Sequence, residues 1–315
     1  MIPSQPNILV YAPEGAEIYA DWIRKSGYSS VHSASTADEA RALLDGTEIL
    51  LCWKFPMDEV ELPSSLKWIQ SMGAGVNDWV SGERFSTDIT LTRIVDQFGG
   101  PIAEYVFAYL LYLTKDIPRL TAAQKRRSWD PFLTDFLSKK TIGVAGLGSI
   151  GKEVVRKARA FDMQVKGLSV TGSSADLVDH HFTPAEWNSF VQDLDYLILT
   201  LPLTSQTEGV LNRDLLLTMK STACVVNVGR GQLIVEQDLV DVMRKGHLRA
   251  AVLDVFENEP LLDSHPFWDM PNVYITPHLS GPSIPQEVCQ FFIENLQRYS
   301  NGLPLMGVVD RTLGY

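Results

Sequence analysis

Cysteine is scarce in this sequence: the 315 residues include three, Cys52, Cys224 and Cys289. Their odd number and wide spacing exclude a disulfide framework, and two of them lie in apolar runs. Such thiols are typical of proteins in a reducing compartment, so we expect a cytoplasmic location. Zinc-binding cysteine patterns are also missing, and no metal site is expected.

Long apolar runs and an excess of positive charge are missing as well. The most apolar stretch, residues 105–114, is far shorter than the ~20 residues that a membrane span needs. The first 15 residues carry no basic residue ahead of their apolar run, so a signal peptide is not expected. The formal net charge is -11 at pH 7. Such an acidic surface repels phosphate backbones and anionic lipids, so neither nucleic acid nor membrane is an expected partner.

Strand-like and helix-like segments alternate along the chain. Residues 102–114 and 285–301 have the character of helices, and Pro101 suits the first helical turn of the former. Residues 119–135 are basic and then mixed, and we interpret them as a connecting arm. The alternation predicts parallel sheets covered by helices. The strand-like runs are residues 7–12, 48–53, 66–71, 141–147, 163–169, 196–201, 223–229, 250–255 and 273–276.

A glycine-rich string, GLGSIG, begins where the run at residues 141–147 ends. The first glycine permits a tight turn, the second lets a pyrophosphate approach the backbone, and the third lets the next helix pack closely. That helix then offers unpaired N–H groups to phosphates. The preceding strand and following helix favour a dinucleotide site over a glycine turn without a ligand. Its members are Gly146, Leu147, Gly148, Ser149, Ile150 and Gly151.

Dinucleotide-binding motifs usually have an Asp or Glu about 20 residues further on, which binds the ribose 2'-hydroxyl. That position falls within residues 167–172, which contain no Asp or Glu. Ser169 and Thr171 are therefore the candidates for contact with the adenosine ribose. The missing carboxylate removes a barrier to the 2'-phosphate of NADP, but no arginine attracts it either. The cofactor choice stays open between NADP and NAD, and the hydroxyls of residues 169–174 slightly favour NADPH.

Three further loops, each after a strand-like run, carry ionisable residues: Arg230, the pair Glu257 and Glu259, and His278. Ligands bind outside the carboxyl ends of parallel strands, so we expect these loops to converge near the nicotinamide. Reduction of a 2-oxo acid requires a cation for the carboxylate and a proton donor for the carbonyl oxygen. Arg230 can form two parallel bonds to a carboxylate, and His278 can act as the general acid. A neighbouring carboxylate, by preference Glu259, favours the imidazolium form.

Each of these residues also has an ordinary structural interpretation. Arg230 alone would fit a surface ion pair, His278 would fit a helix cap or a core position, and the two glutamates would fit solvated loop charges. Their occurrence in three successive loops after a dinucleotide motif favours a catalytic set.

A series of motifs in a fixed order extends over nearly the whole chain. They are Gly73-Ala74-Gly75-Val76, Ala103-Glu104-Tyr105, GLGSIG, Leu201-Pro202-Leu203-Thr204, NVGRGQ, LDVFENEPL, ITPHLSG and the ending Val309-Asp310-Arg311-Thr312-Leu313-Gly314-Tyr315. With these motifs the chain resembles the D-isomer-specific 2-hydroxyacid dehydrogenases, and most of all their glyoxylate/hydroxypyruvate reductase branch. The resemblance implies reduction of a small 2-oxo acid to the D-2-hydroxy acid with NAD(P)H.

The resemblance also implies an α/β fold of two doubly wound parallel-sheet domains. Residues 1–100 and 286–315 would form a flavodoxin-like substrate-binding domain, and residues 101–285 an NAD(P)-binding Rossmann domain. A homodimer would form through the cofactor domain and the arm at residues 119–135. The partner molecule would be a small 2-oxo or 2-hydroxy acid.

Site residues follow from the resemblance, which assigns catalysis to Arg230, Glu259 and His278, because the family's glutamate precedes a proline such as Pro260. The two tryptophans among the substrate candidates would equally fit a plain core. Candidates for substrate binding, through backbone amides or side chains, are Trp53, Ala74, Gly75, Val76, Trp129 and Arg230. Further cofactor-binding candidates are Leu201, Pro202, Thr207, Val228 and Asp254, of which the last would meet the nicotinamide carboxamide.

Three alternatives stay open beside this interpretation. A dinucleotide-sensing regulator of the transcriptional-corepressor kind has the same fold, although an intact arginine, glutamate and histidine set argues against it. Formate dehydrogenases are similar but carry Gln at the position of Glu259. Another 2-hydroxyacid specificity is also open, since one methylene changes discrimination by only about 1–3 kcal/mol. Val170 stands where NADP-preferring reductases carry arginine, which argues against strict NADP preference.

Overall fold

The structure is a computed structural model that describes residues 5–80, 86–312 and 314. The chain divides into two compact units. Unit 1 consists of Met1–Gln97 and Ser283–Tyr315, and unit 2 of Phe98–Pro282. The sequence-based boundaries, after residues 100 and 285, lie three residues further along the chain at each crossing. Leu313 and Tyr315 of the C-terminal motif lie outside the described residues.

Unit 1 is built on a parallel sheet with the strand order β2-β1-β3-β4-β5. Strands β1, β3 and β4 are buried along their whole length, as expected of parallel strands covered on both faces. This order is that of flavodoxin-like folds. The strands are β1 Ile8–Tyr11, β2 Val31–Ala34, β3 Ile49–Cys52, β4 Trp68–Ser71 and β5 Thr90–Thr92. Its helices are α1 Ala16–Lys25, α2 Ala37–Leu43, α3 Asn77–Val80 and, from the C-terminal segment, α10 Pro285–Ser300.

A buried polar network joins the C-terminal segment of unit 1 to its sheet. The Gln70 side-chain oxygen accepts hydrogen bonds from Thr92 Oγ1 at 2.8 Å and from Asn295 Nδ2 at 3.2 Å. Asn295 also pairs with the backbone of Met306, donating at 3.1 Å and accepting at 2.8 Å. Trp68 Nε1 donates to Thr92 Oγ1 at 2.7 Å. The two chain ends are therefore parts of one core.

Unit 2 contains a parallel sheet with the strand order β12-β11-β10-β9-β6-β7-β8. The direction of strand addition reverses between β6 and β9, which is the switch point where doubly wound folds bind dinucleotides. The fold class inferred from the sequence, two doubly wound parallel-sheet domains, is confirmed. The strands are β6 Thr141–Ala145, β7 Gln164–Leu168, β8 His180–Phe182, β9 Tyr196–Leu199, β10 Cys224–Asn227, β11 Ala250–Leu253 and β12 Val273–Ile275. The helices are α4 Gly99–Thr114, α5 Ile117–Lys125, α6 Ser149–Ala160, α7 Trp187–Val191, α8 Arg213–Thr218 and α9 Glu236–Arg244.

The segment interpreted as a connecting arm, residues 119–135, is helical in its first half. Helix α5 covers residues up to Lys125, because the Asp116 side chain caps it by accepting from the Arg119 N–H at 3.3 Å. The second half has neither helix nor strand. It is held by two hydrogen bonds from the Arg119 guanidinium to Asp130, at 2.8 and 2.9 Å.

The three cysteines are buried and form no disulfide. Burial raises the pKa of Cys224 to about 12, so its thiol is protonated and unreactive at neutral pH. No helix within the described ranges is both long enough and apolar enough to cross a membrane.

We expect Asn295→Ala to destabilise unit 1 far more than Asn301→Ala on the same helix end. The first variant removes one of two donors from the Gln70 oxygen and leaves the Met306 backbone without its Asn295 partners, at roughly 1–3 kcal/mol for each buried group left unsatisfied. The second removes one exposed hydrogen bond, to the Gln297 carbonyl. Thermal unfolding of both variants measures the difference. Equal melting temperatures would contradict the role given to the buried network.

Candidate active site

The glycine string forms the turn between β6 and α6. Gly146 has a φ of 99°, in the left-handed region that favours glycine. Gly148 is the N-cap of α6 and is exposed, with no heavy atom within 4 Å of where a Cβ would stand. A Cβ on Gly151 would lie 1.9 Å from the Gly146 carbonyl oxygen. An open approach to backbone N–H groups at a helix N-terminus fits the pyrophosphate of a dinucleotide.

The other members of the string have different surroundings. Leu147 is buried, and its side chain lies where a Cβ on Gly167 would be, so its backbone alone is accessible to a cofactor. Ser149 and Ile150 are half-buried in the first turn of α6. Thr200, which the sequence did not single out, donates from Oγ1 to the Gly146 carbonyl at 2.8 Å and fixes the turn.

The remaining cofactor candidates follow the neighbouring strands β9 and β10. Leu201 and Pro202 come directly after β9 and are half-buried. Thr207 is used within this loop, since its Oγ1 donates to the Pro202 carbonyl at 2.7 Å. Val228 follows β10 and donates its N–H to the Leu199 carbonyl at 3.2 Å. These residues therefore line the carboxyl ends of strands beside the glycine turn.

The ribose candidates stand at the end of β7. Ser169 Oγ donates to the Thr171 carbonyl at 2.7 Å and lies 2.8 Å from His181 Nε2. Thr171 Oγ1 is 2.9 Å from Ser173 Oγ. Val170 is 65% exposed between them. Sequence reasoning missed His181, because its strand is three residues long and gives no periodic signal.

Arg230 lies in the loop after β10, and the Asn227 side chain shapes that loop. Asn227 Oδ1 accepts from the Gly229 N–H at 3.1 Å, and its Nδ2 donates to the Arg230 carbonyl at 2.8 Å. A Cβ on Gly231 would lie 1.8 Å from the backbone carbon of Phe256. The loops after β10 and β11 therefore touch through backbone atoms, which places Arg230 beside the loop that carries the two glutamates.

Glu259 and His278 form a direct pair. Glu259 Oε2 lies 2.8 Å from His278 Nδ1, and Oε1 accepts from the Phe256 N–H at 3.2 Å. The His278 and Glu259 side chains are 45% and 31% exposed. Because Nδ1 donates to the carboxylate, Nε2 is the ring nitrogen that is left to meet a substrate. The pair thus has the geometry of an oriented general acid.

The second glutamate of the loop has a structural role. The Glu257 N–H donates to Glu236 Oε1 at 2.8 Å, and the Glu236 N–H donates to Glu257 Oε1 at 3.2 Å. Burial raises the pKa of Glu236. Gln232 Nε2 adds a bond to the Glu257 carbonyl at 2.9 Å. These bonds dock the loop on the start of α9 and leave Glu259 as the glutamate that faces the histidine.

Asp254 is fully buried, and its carboxylate accepts hydrogen bonds from other groups of the protein. Oδ1 accepts from Thr276 Oγ1 at 2.6 Å and from the Leu279 N–H at 3.0 Å, and Oδ2 accepts from the Ser280 N–H at 3.0 Å. The carboxylate thus also has an internal role, beside the contact with a nicotinamide carboxamide that the family resemblance implies. The carboxylate holds the loop in which His278 has a φ of 51°.

Tyr105 extends this network to α4. Its hydroxyl lies 2.6 Å from Thr276 Oγ1, whose proton is already donated to Asp254. Tyr105 must therefore be the donor. Burial raises the pKa of Tyr105, which keeps the phenol protonated for that role. The Ala103-Glu104-Tyr105 motif is thus explained by support of the strand end.

The candidates of unit 1 lie after β3 and β4. The Trp53 ring lies against Gly73, where an added Cβ would be 2.5 Å from a ring carbon. Ala74 and Gly75 are half-buried and Val76 is buried. Arg93 Nη1 is 3.3 Å from the Ala74 carbonyl. The sequence analysis missed Arg93, because 19 positions separate it from Ala74.

Trp129 is 95% exposed, in the irregular half of the arm. It is therefore not a core residue. Leu133 and Phe136 of the same segment are 100% and 65% exposed.

We expect Gly148→Ala and Gly151→Ala to fail in different ways. The first adds a methyl group in open space, so the melting temperature should be unchanged while NADPH binding weakens. The second drives a methyl group into the Gly146 carbonyl, so the melting temperature should fall. Thermal unfolding and fluorescence titration with NADPH separate the two effects. Tight NADPH binding by Gly148→Ala would rule out this turn as the pyrophosphate site.

Comparisons with known sequences and with solved structures agree on one protein family. Residues 107–280, more than half of the chain, match the family profile of the D-isomer specific 2-hydroxyacid dehydrogenase, NAD binding domain. A glyoxylate/hydroxypyruvate reductase A from Yersinia enterocolitica is 32% identical over 271 residues, covering 84% of this chain and 87% of the relative.

Solved structures cover the chain almost completely. A D-isomer specific 2-hydroxyacid dehydrogenase from Xanthobacter autotrophicus, in complex with NADPH and MES, superposes with a TM-score of 0.89 at 28% identity over 99% of this chain and 100% of its own. An NADPH-dependent glyoxylate/hydroxypyruvate reductase from Sinorhizobium meliloti, in complex with NADP and sulfate, gives a TM-score of 0.88 at 29% identity, with the same coverage. The sequence profile, the relatives and the shared fold together place this chain in the D-isomer specific 2-hydroxyacid dehydrogenase family.

Proposed function

We propose that this enzyme reduces a small 2-oxo acid of the glyoxylate or hydroxypyruvate type to the D-2-hydroxy acid, using NADPH or NADH. The observation that carries the proposal is the 2.8 Å contact between Glu259 and His278. This pair stands at the carboxyl ends of strands in the sheet that also carries the glycine turn. An oriented imidazole beside a dinucleotide site suits proton transfer coupled to reduction.

The three ionisable residues have different roles in the proposed reaction. His278, held through Nδ1, donates a proton from Nε2 to the carbonyl oxygen as it gains negative charge. Glu259 fixes the ring orientation and stabilises the imidazolium form. Arg230 binds the substrate carboxylate and polarises the carbonyl. The nicotinamide, when bound, supplies the hydride.

The net charge of -11 makes a local cation necessary for an anionic substrate. In unit 2 that cation is Arg230. In unit 1, the backbone amides of Ala74, Gly75 and Val76 are the proposed carboxylate binders, and Trp53 beside Gly73 is a proposed lining residue. We assign unit 1 to substrate binding and unit 2 to cofactor binding.

We propose that both cofactors serve and that NADPH is slightly favoured. Two relatives of the same fold were solved with NADPH or NADP, and no carboxylate stands at Ser169 to repel a 2'-phosphate. Val170, where an arginine would add attraction, limits the preference. Contacts to the pyrophosphate come from the turn at Gly146–Gly151, and the loops with Thr207 and Val228 complete the site.

The competing functions fit the residues less well. A formate dehydrogenase would carry Gln where Glu259 contacts His278. A dinucleotide-sensing regulator has no need of a paired imidazole and carboxylate beside an arginine. Both alternatives are tested by turnover.

We expect purified protein to oxidise NADPH with glyoxylate or hydroxypyruvate, measured by absorbance. His278→Ala should lower kcat by roughly 10²–10⁴-fold with little change in cofactor affinity. Near-normal turnover by the variant would remove His278 from the mechanism. Tight NADPH binding without turnover of any 2-oxo acid would favour the regulator.

We also propose a homodimer in which a second copy covers the arm, and a cytoplasmic location suited to three buried thiols. The arm projects Trp129 and Leu133 into solvent while Arg119 orders its backbone. A cluster of exposed large apolar side chains on an ordered segment is typical of an interaction surface. A groove of about 380 Å³ lined by Phe107, Leu111 and Phe161 adds apolar surface to the same unit.

Leu133→Asp should convert the dimer to a monomer, because a charge buried in an apolar interface is strongly unfavourable. Leu217→Asp, at a 45% exposed leucine outside the arm, is the matched control and should stay dimeric. Light scattering coupled to gel filtration measures both masses. A monomeric unmodified protein at micromolar concentration would disprove the dimer.

A further inference from the structure

We propose that His181 binds the 2'-phosphate of NADPH together with Ser169, and so sets the cofactor preference of this enzyme. The inference rests on the proposed use of NADP(H) and identifies a side chain outside the ribose loop itself. Val170 stands where an arginine could bind this phosphate, and His181 supplies a donor in its place.

The hydrogen bond between the two side chains has a defined direction. The Ser169 hydroxyl has one proton, and it is donated to the Thr171 carbonyl at 2.7 Å. With that proton on the carbonyl, the 2.8 Å contact to His181 Nε2 is a bond in which the Nε2–H tautomer of the ring donates to the hydroxyl oxygen. An imidazole N–H thus lies next to Ser169, which stands where an Asp or Glu usually binds the ribose.

The strand register places His181 on the cofactor side of the sheet. His181 pairs with Gly167 on β7, and residues paired in this way face the same side. Leu147 of the glycine turn packs over Gly167 on that side, within 2.8 Å of an added Cβ. His180, the preceding residue, pairs with Lys166 and faces the opposite side. His181 and the glycine turn therefore share one face.

The surroundings favour a phosphate over a bare ribose. A 2'-phosphate offers several acceptor oxygens and negative charge. It can therefore draw the imidazole N–H away from the Ser169 oxygen, and the serine proton away from the Thr171 carbonyl, in exchange for stronger charge-assisted bonds. The acidic group that faces His181 is Glu186, whose carboxylate accepts from the Thr183 N–H at 2.9 Å and hydroxyl at 2.8 Å. These two bonds, and then the positive charge of His181, hold the pKa of Glu186 low. The carboxylate is thus tied to the next turn.

A ribose 2'-hydroxyl needs less from the same residues. It forms one neutral hydrogen bond, which Ser169 provides without help. Loss of the imidazole should therefore weaken binding of the phosphorylated cofactor selectively.

The test uses ligands that need no turnover. Adenosine 2',5'-bisphosphate and 5'-AMP are titrated by calorimetry into unmodified protein, His181→Ala, His181→Gln and the matched control His180→Ala. His181→Ala should weaken the bisphosphate roughly 10- to 100-fold and leave 5'-AMP nearly unchanged. His181→Gln, which keeps an N–H donor, should recover part of the loss. His180→Ala should match the unmodified protein for both ligands.

Each other result overturns the proposal. Equal losses for both ligands would make His181 a residue that shapes the adenosine pocket, and an unchanged bisphosphate affinity would remove it from the site. A bisphosphate that binds no better than 5'-AMP to unmodified protein would also refute it. A selective loss in His181→Ala, combined with no turnover of any 2-oxo acid, would uphold this inference and reject the proposed reduction.

Discussion

The buried carboxylate of Asp254 organises the loop that carries the candidate acid. It accepts hydrogen bonds from three donors, one hydroxyl and two backbone N–H groups. A buried carboxylate is tolerated only when its oxygens are satisfied in this way. The bonds fix the chain on both sides of His278, whose backbone has a positive φ. The ring can then meet Glu259, and the Tyr105 phenol supports the same group from α4.

The order of the strands in the sheet positions the loops that carry Arg230, Glu259 and His278. Because β10, β11 and β12 are neighbours in one parallel sheet, the loops that follow them leave the sheet side by side. Gly231 lets two of these loops pack backbone against backbone, where any side chain would collide with Phe256. The reciprocal bonds between Glu236 and Glu257 anchor the second loop from its outer side. Placement of the loop that carries Arg230 beside the loop that carries Glu259 is thus a property of the sheet and of one small residue.

The sequence predicted those features that depend on local chemistry. The glycine turn, the strand ends with their charged residues and the two parallel sheets all have signals in short stretches. Strands β2, β5 and β8 were missed, because edge strands with polar residues such as His32, Thr90 and His181 lack a continuous apolar run. The His181–Ser169 bond and the Arg93–Ala74 bond were missed because they join distant residues through tertiary packing. The internal hydrogen bonds of Asp254 could not be predicted either, because they join residues 22 to 26 positions apart.

The discontinuity of unit 1 has a consequence for biosynthesis. Gln70 and its partner Asn295 are separated by 225 residues, which a ribosome adds in roughly 10–45 seconds at about 5–20 residues per second. During that interval the first sheet lacks α10, and strands that are buried on both faces in the finished protein stay open to solvent. Unit 2 is one continuous stretch and can fold as it emerges. The nascent chain therefore holds an unfinished apolar sheet until its last helix leaves the ribosome.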